Sequence, residues 1–189
     1  MIEHQSNSIS TFFQDREMEY LLSSVKMIVK HNLPRIMLDS IEIEEAKDKD
    51  LIEVPRWAAE EIAELGFAEI QEELFEVEML KALSRERIQS LNQISTLTDD
   101  FYLKLRRHLR ILKKETKTSK GTKHDYDEAY IKAMDLLKIR AVKLLPLTVG
   151  EEAPDIMLKV TSEEQNLFNE VRKIVQKWKN TVLEETKDE

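Results

Sequence analysis

Histidines and carboxylates are the residue types in this chain that could bind a metal or transfer a proton. The four histidines are His4, His31, His108 and His124. No two of them stand at the helical spacing of a metal site, and no zinc-protease motif occurs. The stretch His-Asp-Tyr-Asp at 124–127 is better explained as a helix start, where Asp125 caps the helix and Asp127 meets its dipole. We therefore predict neither a metal nor a cofactor.

Paired glutamates are the remaining candidates for acid–base chemistry. Two pairs stand at helical spacing, Glu60 with Glu64 and Glu72 with Glu76. Such pairs catalyse only when burial separates their pKa values, and these lie on faces that we expect to be solvated. The chain has no cysteine, which removes thiolate catalysis and cysteine zinc sites. Its three glycines are isolated, so it has no glycine-rich phosphate loop. These patterns predict a protein that is not an enzyme.

A basic segment is the strongest charge feature of the chain. Residues 104–123 hold nine lysines and arginines and one acid, whereas residues 42–86 hold fifteen acids and five bases. Basic side chains neutralise phosphates and release counterions. The segment therefore fits either a solvated helix face or a contact with nucleic acid or an acidic protein. No aromatic residue interleaves its loop to stack on bases. The candidate contact residues are Arg106, Arg107, Arg110, Lys113, Lys114, Lys117 and Lys120.

The elements that must position these residues change their period at Pro55. Before it, a short helix is predicted over 8–23, and alternating apolar residues in 24–54 predict short strands. After it, apolar residues repeat every three or four positions, which predicts helices, the first long one over 69–94.

The totals fit a soluble globular chain of one domain or two small ones. It has 189 residues, of which 41% are apolar and 35% charged, and a net charge of −8. We predict a mainly α fold, with a small N-terminal β-rich α/β module over 1–53. A helical-bundle domain follows over 54–189, with a flexible basic loop at 115–124. No run is long and apolar enough to span a membrane, and the first residues lack a signal-peptide core. We therefore expect a cytoplasmic protein.

One proline and one glycine bracket the expected junction between the two domains. Pro55 suits the first turn of a helix, because it has no N–H to leave unpaired. Gly66 suits the left-handed conformation that ends a helix. The residues predicted to build the junction are Val54, Pro55, Trp57, Ala59 and Gly66.

Two helical patterns carry apolar stripes that are wider than one neighbouring helix needs. The last of them starts with a capping box, formed either by Thr161 with Glu164 or by Ser162 with Gln165. A monomer would expose these stripes as a large apolar patch, so we expect the chain to assemble through them. The candidate subunit-interface residues are Leu74, Phe75, Val77, Leu167, Phe168, Val171, Val175 and Trp178.

The order of these features resembles the GINS subunits of the DNA replication machinery, in the archaeal two-three type whose small domain comes first. In that family a short strand ends in a V-P-x-W-x-A signature, which here reads Val54, Pro55, Trp57 and Ala59. Three later segments are similar to family segments in the same order: "DDFYLKLRRHL", "DLLKIRAVKLL" and "LKVTSEEQNLF". The resemblance covers most of residues 25–183, and the ordered set of four segments carries it.

The resemblance implies a non-catalytic scaffold. GINS subunits form four-subunit complexes, in archaea two copies each of two types. They sit beside the MCM helicase ring and a Cdc45/RecJ-like protein and activate DNA unwinding. The implied partners are therefore a second GINS subunit type, the MCM helicase and a Cdc45/RecJ-like protein, with weak or indirect DNA contact at the replication fork. The alternative interpretation is a helical nucleic-acid-binding protein that acts directly through residues 104–123.

Overall fold

The computed structural model describes residues 3–38, 41–117, 123–150 and 154–183. Within them the chain is mainly α-helical with one strand-containing module, which confirms the predicted fold class. The chain divides into two compact units, Met1–Glu73 and Leu74–Glu189. Each unit has its own buried apolar core.

The N-terminal unit joins two helices to five short strands in the part of the chain that is described. Its elements are α1 (Glu3–Leu22), β1 (Ser24–Val29), β2 (Ile36–Leu38), β3 (Ile41–Ile43), β4 (Leu51–Pro55), α2 (Arg56–Glu64) and β5 (Ala68–Ile70). Strand β1 lies between β4 and β5, and both pairings are antiparallel. Strands β2 and β3 form a separate antiparallel hairpin.

Apolar alternation along β1 determines which face of the sheet is buried. Val25, Met27 and Val29 are buried, whereas Lys26 between them is exposed. The buried side chains pack in one cluster with α2, whose Ala58 and Ala59 are completely buried. Side chains this small let a helix lie close to the sheet that it covers.

The division between the units falls after Glu73, so the predicted boundary at residue 53 is wrong. Strand β5 pairs with β1 and therefore belongs to the same sheet as β4. Arg56, the first residue of α2, donates two hydrogen bonds to the carboxylate of Glu72 at 2.9 and 2.5 Å. Its guanidinium also lies 4.1 Å from the ring centroid of Tyr20 in α1. These long-range pairings hold residues up to Glu73 in the N-terminal unit.

The five residues predicted to build a domain junction lie inside the N-terminal unit instead. Val54 and Ala59 are buried in its core, and Trp57 is half-buried against the same core. Pro55 ends β4 and is the N-cap of α2. Gly66 has a φ of 81°, in the left-handed region, just after α2 ends. Gly66 therefore has the predicted left-handed conformation, whereas Pro55 stands just before the first turn of α2 and not within it.

The C-terminal unit is a bundle of helices. Its elements are α3 (Phe75–Ile88), α4 (Phe101–Lys117), α5 (Lys123–Leu144), a 3-10 helix (Leu145–Thr148), α6 (Pro154–Met157) and α7 (Ser162–Val182). Helices α3, α4 and α5 share one apolar core, in which Met79, Phe101 and Leu136 are completely buried.

Two predicted element bounds are corrected by the structure. The helix predicted over 69–94 overlaps β5 and then α3, which ends at Ile88. The apolar spacing runs on to Leu91, but Ile88 and Leu91 are both exposed, so no core holds that stretch in a helix. The loop predicted over 115–124 is shorter, because α4 continues through Lys117 and α5 begins at Lys123. Residues 118–122 lie outside the described residues.

Candidate interaction surfaces

Helix α7 is fixed to its unit by its first turn. The Thr161 hydroxyl accepts a hydrogen bond from the N–H of Glu164 at 3.3 Å, and the Glu164 carboxylate accepts one from the N–H of Thr161 at 3.1 Å. Of the two capping boxes that the sequence allows, the chain forms this one. Ser162 instead donates its N–H and its hydroxyl to the carboxylate of Asp99, at 3.1 and 2.8 Å.

Beyond this turn, α7 leaves much of its apolar stripe in solvent. We call Leu167, Val171, Ile174, Trp178 and Val182 the α7 stripe; their spacing of three or four places them on one helix face. Ile174, Trp178 and Val182 are each exposed by about 60%. Val171 and the neighbouring Val175 are half-buried. The stripe is therefore wider than the contact that α7 makes with its own unit.

Two of the predicted interface residues serve the core of the chain instead. Phe168 is buried, and the Arg172 guanidinium lies 6.0 Å from its ring centroid. Phe75 is half-buried, with its ring centroid 5.2 Å from that of Phe101 and 5.6 Å from that of His108. These rings hold α7 and α3 in place, so we no longer count Phe168 and Phe75 as surface candidates.

The start of α3 keeps the other two predicted residues on the surface. Leu74 and Val77 are exposed, and so is Leu80 one turn later. Glu73 and Glu76 are exposed beside them. This is a small acidic surface with apolar side chains.

A second apolar surface, on α5, was missed by the sequence analysis. We call Tyr130, Met134, Leu137 and Ala141 the α5 outer face. The first three are exposed large apolar residues, and Ala141 is half-buried. The neighbouring face of α5 carries the residues that are buried in the bundle, which are Ala129, Ala133, Leu136, Arg140, Lys143 and Leu144. Because both faces show the same helical spacing, periodicity alone could not tell which one the bundle covers.

The basic residues of α4 lie mostly on the surface, as the segment predicted. Arg106, Arg110, Lys113, Lys114 and Lys117 are exposed and Arg107 is half-buried. Arg106, Arg107, Arg110 and Lys114 also interact with other groups of the chain. Lys120 lies outside the described residues.

A buried network of charges stands at the centre of the C-terminal unit. Arg140 of α5 is 1% exposed, and its guanidinium reaches two carboxylates. Its Nε and Nη2 donate to the two oxygens of Glu164 at 2.6 and 2.5 Å, and its Nη1 donates to Glu86 at 2.8 Å and to the Ser95 carbonyl at 2.6 Å. The fork therefore ties α5 to α7, to α3 and to the segment before α4.

Further donors complete the two carboxylates. Lys143 Nζ donates to Glu86 Oε2 at 2.6 Å, and the N–H of Ser95 donates to Glu86 Oε1 at 2.8 Å. The Tyr102 hydroxyl donates to Glu164 Oε1 at 2.6 Å. We call Arg140, Lys143, Glu86 and Glu164, with their neutral partners, the Arg140 network. It balances two positive charges with two negative ones away from water.

The ionisation states within the Arg140 network follow from burial and from these bonds. Burial alone would lower the pKa of Arg140, but its hydrogen bonds to Glu164 and the negative charge of Glu164 raise this pKa overall. Burial opposes ionisation of Glu86, but the hydrogen bonds from Lys143, Ser95 and Arg140 hold its pKa below the ordinary value. Burial and the charge of Glu164 raise the pKa of the Tyr102 hydroxyl. Donors and acceptors are thus matched, and we interpret the network as a structural clamp that holds α3, α5 and α7 together.

Among the described residues, no group of three or more histidine, aspartate or glutamate side chains is placed to hold a metal ion. In the same part of the chain, every helix is too short or too polar to cross a bilayer. No model of a known protein family matches the chain, and no curated protein matches its sequence significantly.

Proposed function

We propose that the chain is a non-catalytic subunit of a GINS-type complex. It would act in the cytoplasm at the replication fork, as a scaffold that joins the MCM helicase and a Cdc45/RecJ-like protein and activates DNA unwinding. Its first partner is a second GINS subunit type, in a complex with two copies of each. The proposal starts from the four ordered segments that resemble the family and is supported by the surfaces of the C-terminal unit.

The α7 stripe is the observation that carries the proposal. Ile174 and Trp178 are large apolar side chains on a helix whose own unit leaves them in solvent. Soluble monomers rarely keep contiguous apolar patches larger than a few hundred Å². Tryptophan is also enriched among the residues that dominate protein–protein interfaces. A partner that buries the stripe explains why the sequence retains it.

The α5 outer face supports a complex with more than two chains. A two-fold dimer needs one self-complementary surface on each chain, whereas a four-chain complex needs at least two surfaces on each. The α7 stripe and the α5 outer face lie on different helices of one unit and are both exposed. Two exposed apolar surfaces on different helices therefore offer the two contact surfaces that each chain of a 2:2 assembly requires.

Co-expression with a second GINS subunit type tests the proposal, with the mass of the product measured by sedimentation. We expect a stable complex that contains both chains, and we expect Ile174→Asp with Trp178→Asp to prevent it. The matched control is Gln176→Asp, an exposed position on the opposite face of α7, which should leave the complex intact. A 22.2 kDa species that stays monomeric beside the second subunit would overturn the proposal.

The basic surface of α4 supports the second candidate function, direct binding of nucleic acid. Lys113 and Lys117 are exposed one turn apart on α4, where they can reach neighbouring phosphates. A direct binder loses DNA affinity steeply as salt rises, because each neutralised phosphate releases a counterion. Under the scaffold proposal, the single chain binds duplex DNA weakly and shows little of this dependence.

A further inference from the structure

The outer edge of β4 carries backbone groups that its sheet does not use. Sheet order makes β4 an edge strand, paired on one side with β1. The N–H of Val29 donates to the Asp50 carbonyl at 3.0 Å, and the N–H of Arg56 donates to the Ser23 carbonyl at 2.8 Å. In an antiparallel pair, successive residues point their backbone N–H and C=O groups alternately toward the partner strand and away from it. Positions 50, 52, 54 and 56 therefore face β1, and Leu51 and Glu53 point their N–H and C=O outward.

The hairpin strand β3 offers a second unused edge. Leu33 and Ala46 exchange backbone hydrogen bonds at 2.8 and 3.0 Å, in the same register as the β2–β3 pairing. By the same alternation, Ile43 points its N–H and C=O away from β2. Residues 42–46 and 50–54 line the two sides of a groove with a volume of about 480 Å³. Strands β3 and β4 belong to different sheets, so the groove is lined by residues of both.

Carboxylates surround this groove. Its lining includes Glu42, Glu44, Glu45, Asp50 and Glu53. Two of the five have partners in the chain, since Glu42 pairs with Arg35 and Asp50 accepts the N–H of Lys47 at 2.8 Å. Glu44, Glu45 and Glu53 are exposed, as is the apolar side chain of Leu51. The groove is therefore negative at its rim and offers one apolar contact.

We infer that this groove binds an extended, lysine- or arginine-rich protein segment as an added strand. The open edge at Leu51 and Glu53 supplies main-chain hydrogen bonds, which is how a peptide extends a sheet. The carboxylates select basic side chains and repel a second copy of this acidic edge. Duplex DNA is excluded by the same charge. The inference concerns the N-terminal unit alone and does not depend on the helical unit's proposed assembly.

Fluorescence anisotropy with a labelled peptide of alternating lysine and valine tests the inference on the full chain. We expect saturable binding, and no binding of the matching peptide of glutamate and valine. Glu53→Pro removes the outward N–H, while proline is tolerated at an edge position whose N–H faces solvent. Its matched control is Glu53→Gln, which removes the same charge and keeps the N–H. We expect the proline variant to bind about tenfold more weakly than the glutamine variant.

A second comparison changes the peptide and not the protein, so that a misfolded variant cannot explain the result. A lysine–valine peptide that is N-methylated at every backbone nitrogen keeps its charge but loses its donors on both edges, and it should bind the unchanged protein about tenfold more weakly. The double variant Glu44→Gln with Glu45→Gln should bind the unmethylated lysine–valine peptide more weakly, and this binding should depend less on salt. Equal binding of the methylated and unmethylated peptides would reduce the groove to a charged surface and overturn the inference, as would the absence of any binding by the lysine–valine peptide.

Discussion

At the scale of single residues, Arg140 is the most demanding position in the C-terminal unit. Its guanidinium is buried and donates to Glu164 and Glu86 together. Removing one member of a buried ion pair leaves the other charge without compensation, which costs more than the pair itself contributes. Replacing Arg140 should therefore lower the free energy of unfolding strongly.

Arg140→Met is expected to destabilise the protein by about 3–5 kcal/mol, because Glu164 and Glu86 then remain buried without their main donor. Urea unfolding followed by circular dichroism measures this loss. The matched control is Arg87→Met, since Arg87 pairs with Asp135 at 2.7 Å but both side chains are about half exposed. That surface pair should contribute only about 0–1 kcal/mol. Similar losses in the two variants would contradict the clamp interpretation.

Acid is expected to weaken the C-terminal unit through Glu86. Its hydrogen bonds hold the pKa below the ordinary glutamate value of 4.5, although burial opposes this. The folded protein thus binds this proton less readily than the unfolded chain does, so the stabilisation is complete above about pH 4.5 and is lost as the pH falls through the folded pKa. Melting temperatures recorded from about pH 6 to pH 3 measure the effect. Glu86→Gln should flatten the curve over this window, and an unchanged slope would count against the assignment.

Sequence reasoning found only the local part of this residue-scale picture. The capping box of Thr161 and Glu164 lies within one turn, so the spacing of residue types revealed it. The partners of Arg140 are 54 residues away in Glu86 and 24 residues away in Glu164. No periodic pattern encodes such pairs, because they arise when separate helices pack together.

At the scale of elements, the turn from α2 into β5 depends on one glycine. Gly66 has a φ of 81° and no atom near enough to obstruct an added Cβ. Gly66→Ala should therefore cost about 1 kcal/mol from backbone conformation alone. Gly150→Ala is the matched control, because Gly150 is equally open and outside the left-handed region, and its effect should stay within about 0.5 kcal/mol. Thermal unfolding of both variants provides the comparison, and equal stability would show that Gly66 is not required.

The sequence predicted helices after Pro55 and short strands within 24–54, where β1 to β4 lie, because their periods are clear. It missed β5, whose three residues, Ala68–Ile70, are too few to show a period. That strand exists because β1 has a free edge to pair with. The predicted apolar stripe of α7 lies where expected, but only the packed structure could separate the buried Phe168 from the exposed Trp178.

At the scale of the whole molecule, the boundary after Glu73 predicts which part of the chain folds by itself. A fragment of residues 1–73 should unfold cooperatively, because its apolar cluster is built from its own residues. A fragment of residues 1–53 lacks α2 and β5 and so loses Ala58, Ala59 and Ile62 from that cluster. It should show no cooperative transition. Thermal melts of the two fragments test the boundary. Cooperative unfolding of the shorter fragment would support the boundary predicted from the sequence at residue 53.

The Arg140 network also limits how this sequence can change over generations. Two positive and two negative residues, on α3, α5 and α7, are buried together. Replacing any one of them leaves an opposite charge uncompensated in the interior. Each single replacement on the way to an apolar set therefore destabilises the protein. Descendants of a common ancestor should therefore inherit all four residues or have exchanged all four for apolar ones. Homologous sequences that carry mixed sets in large numbers would contradict this expectation.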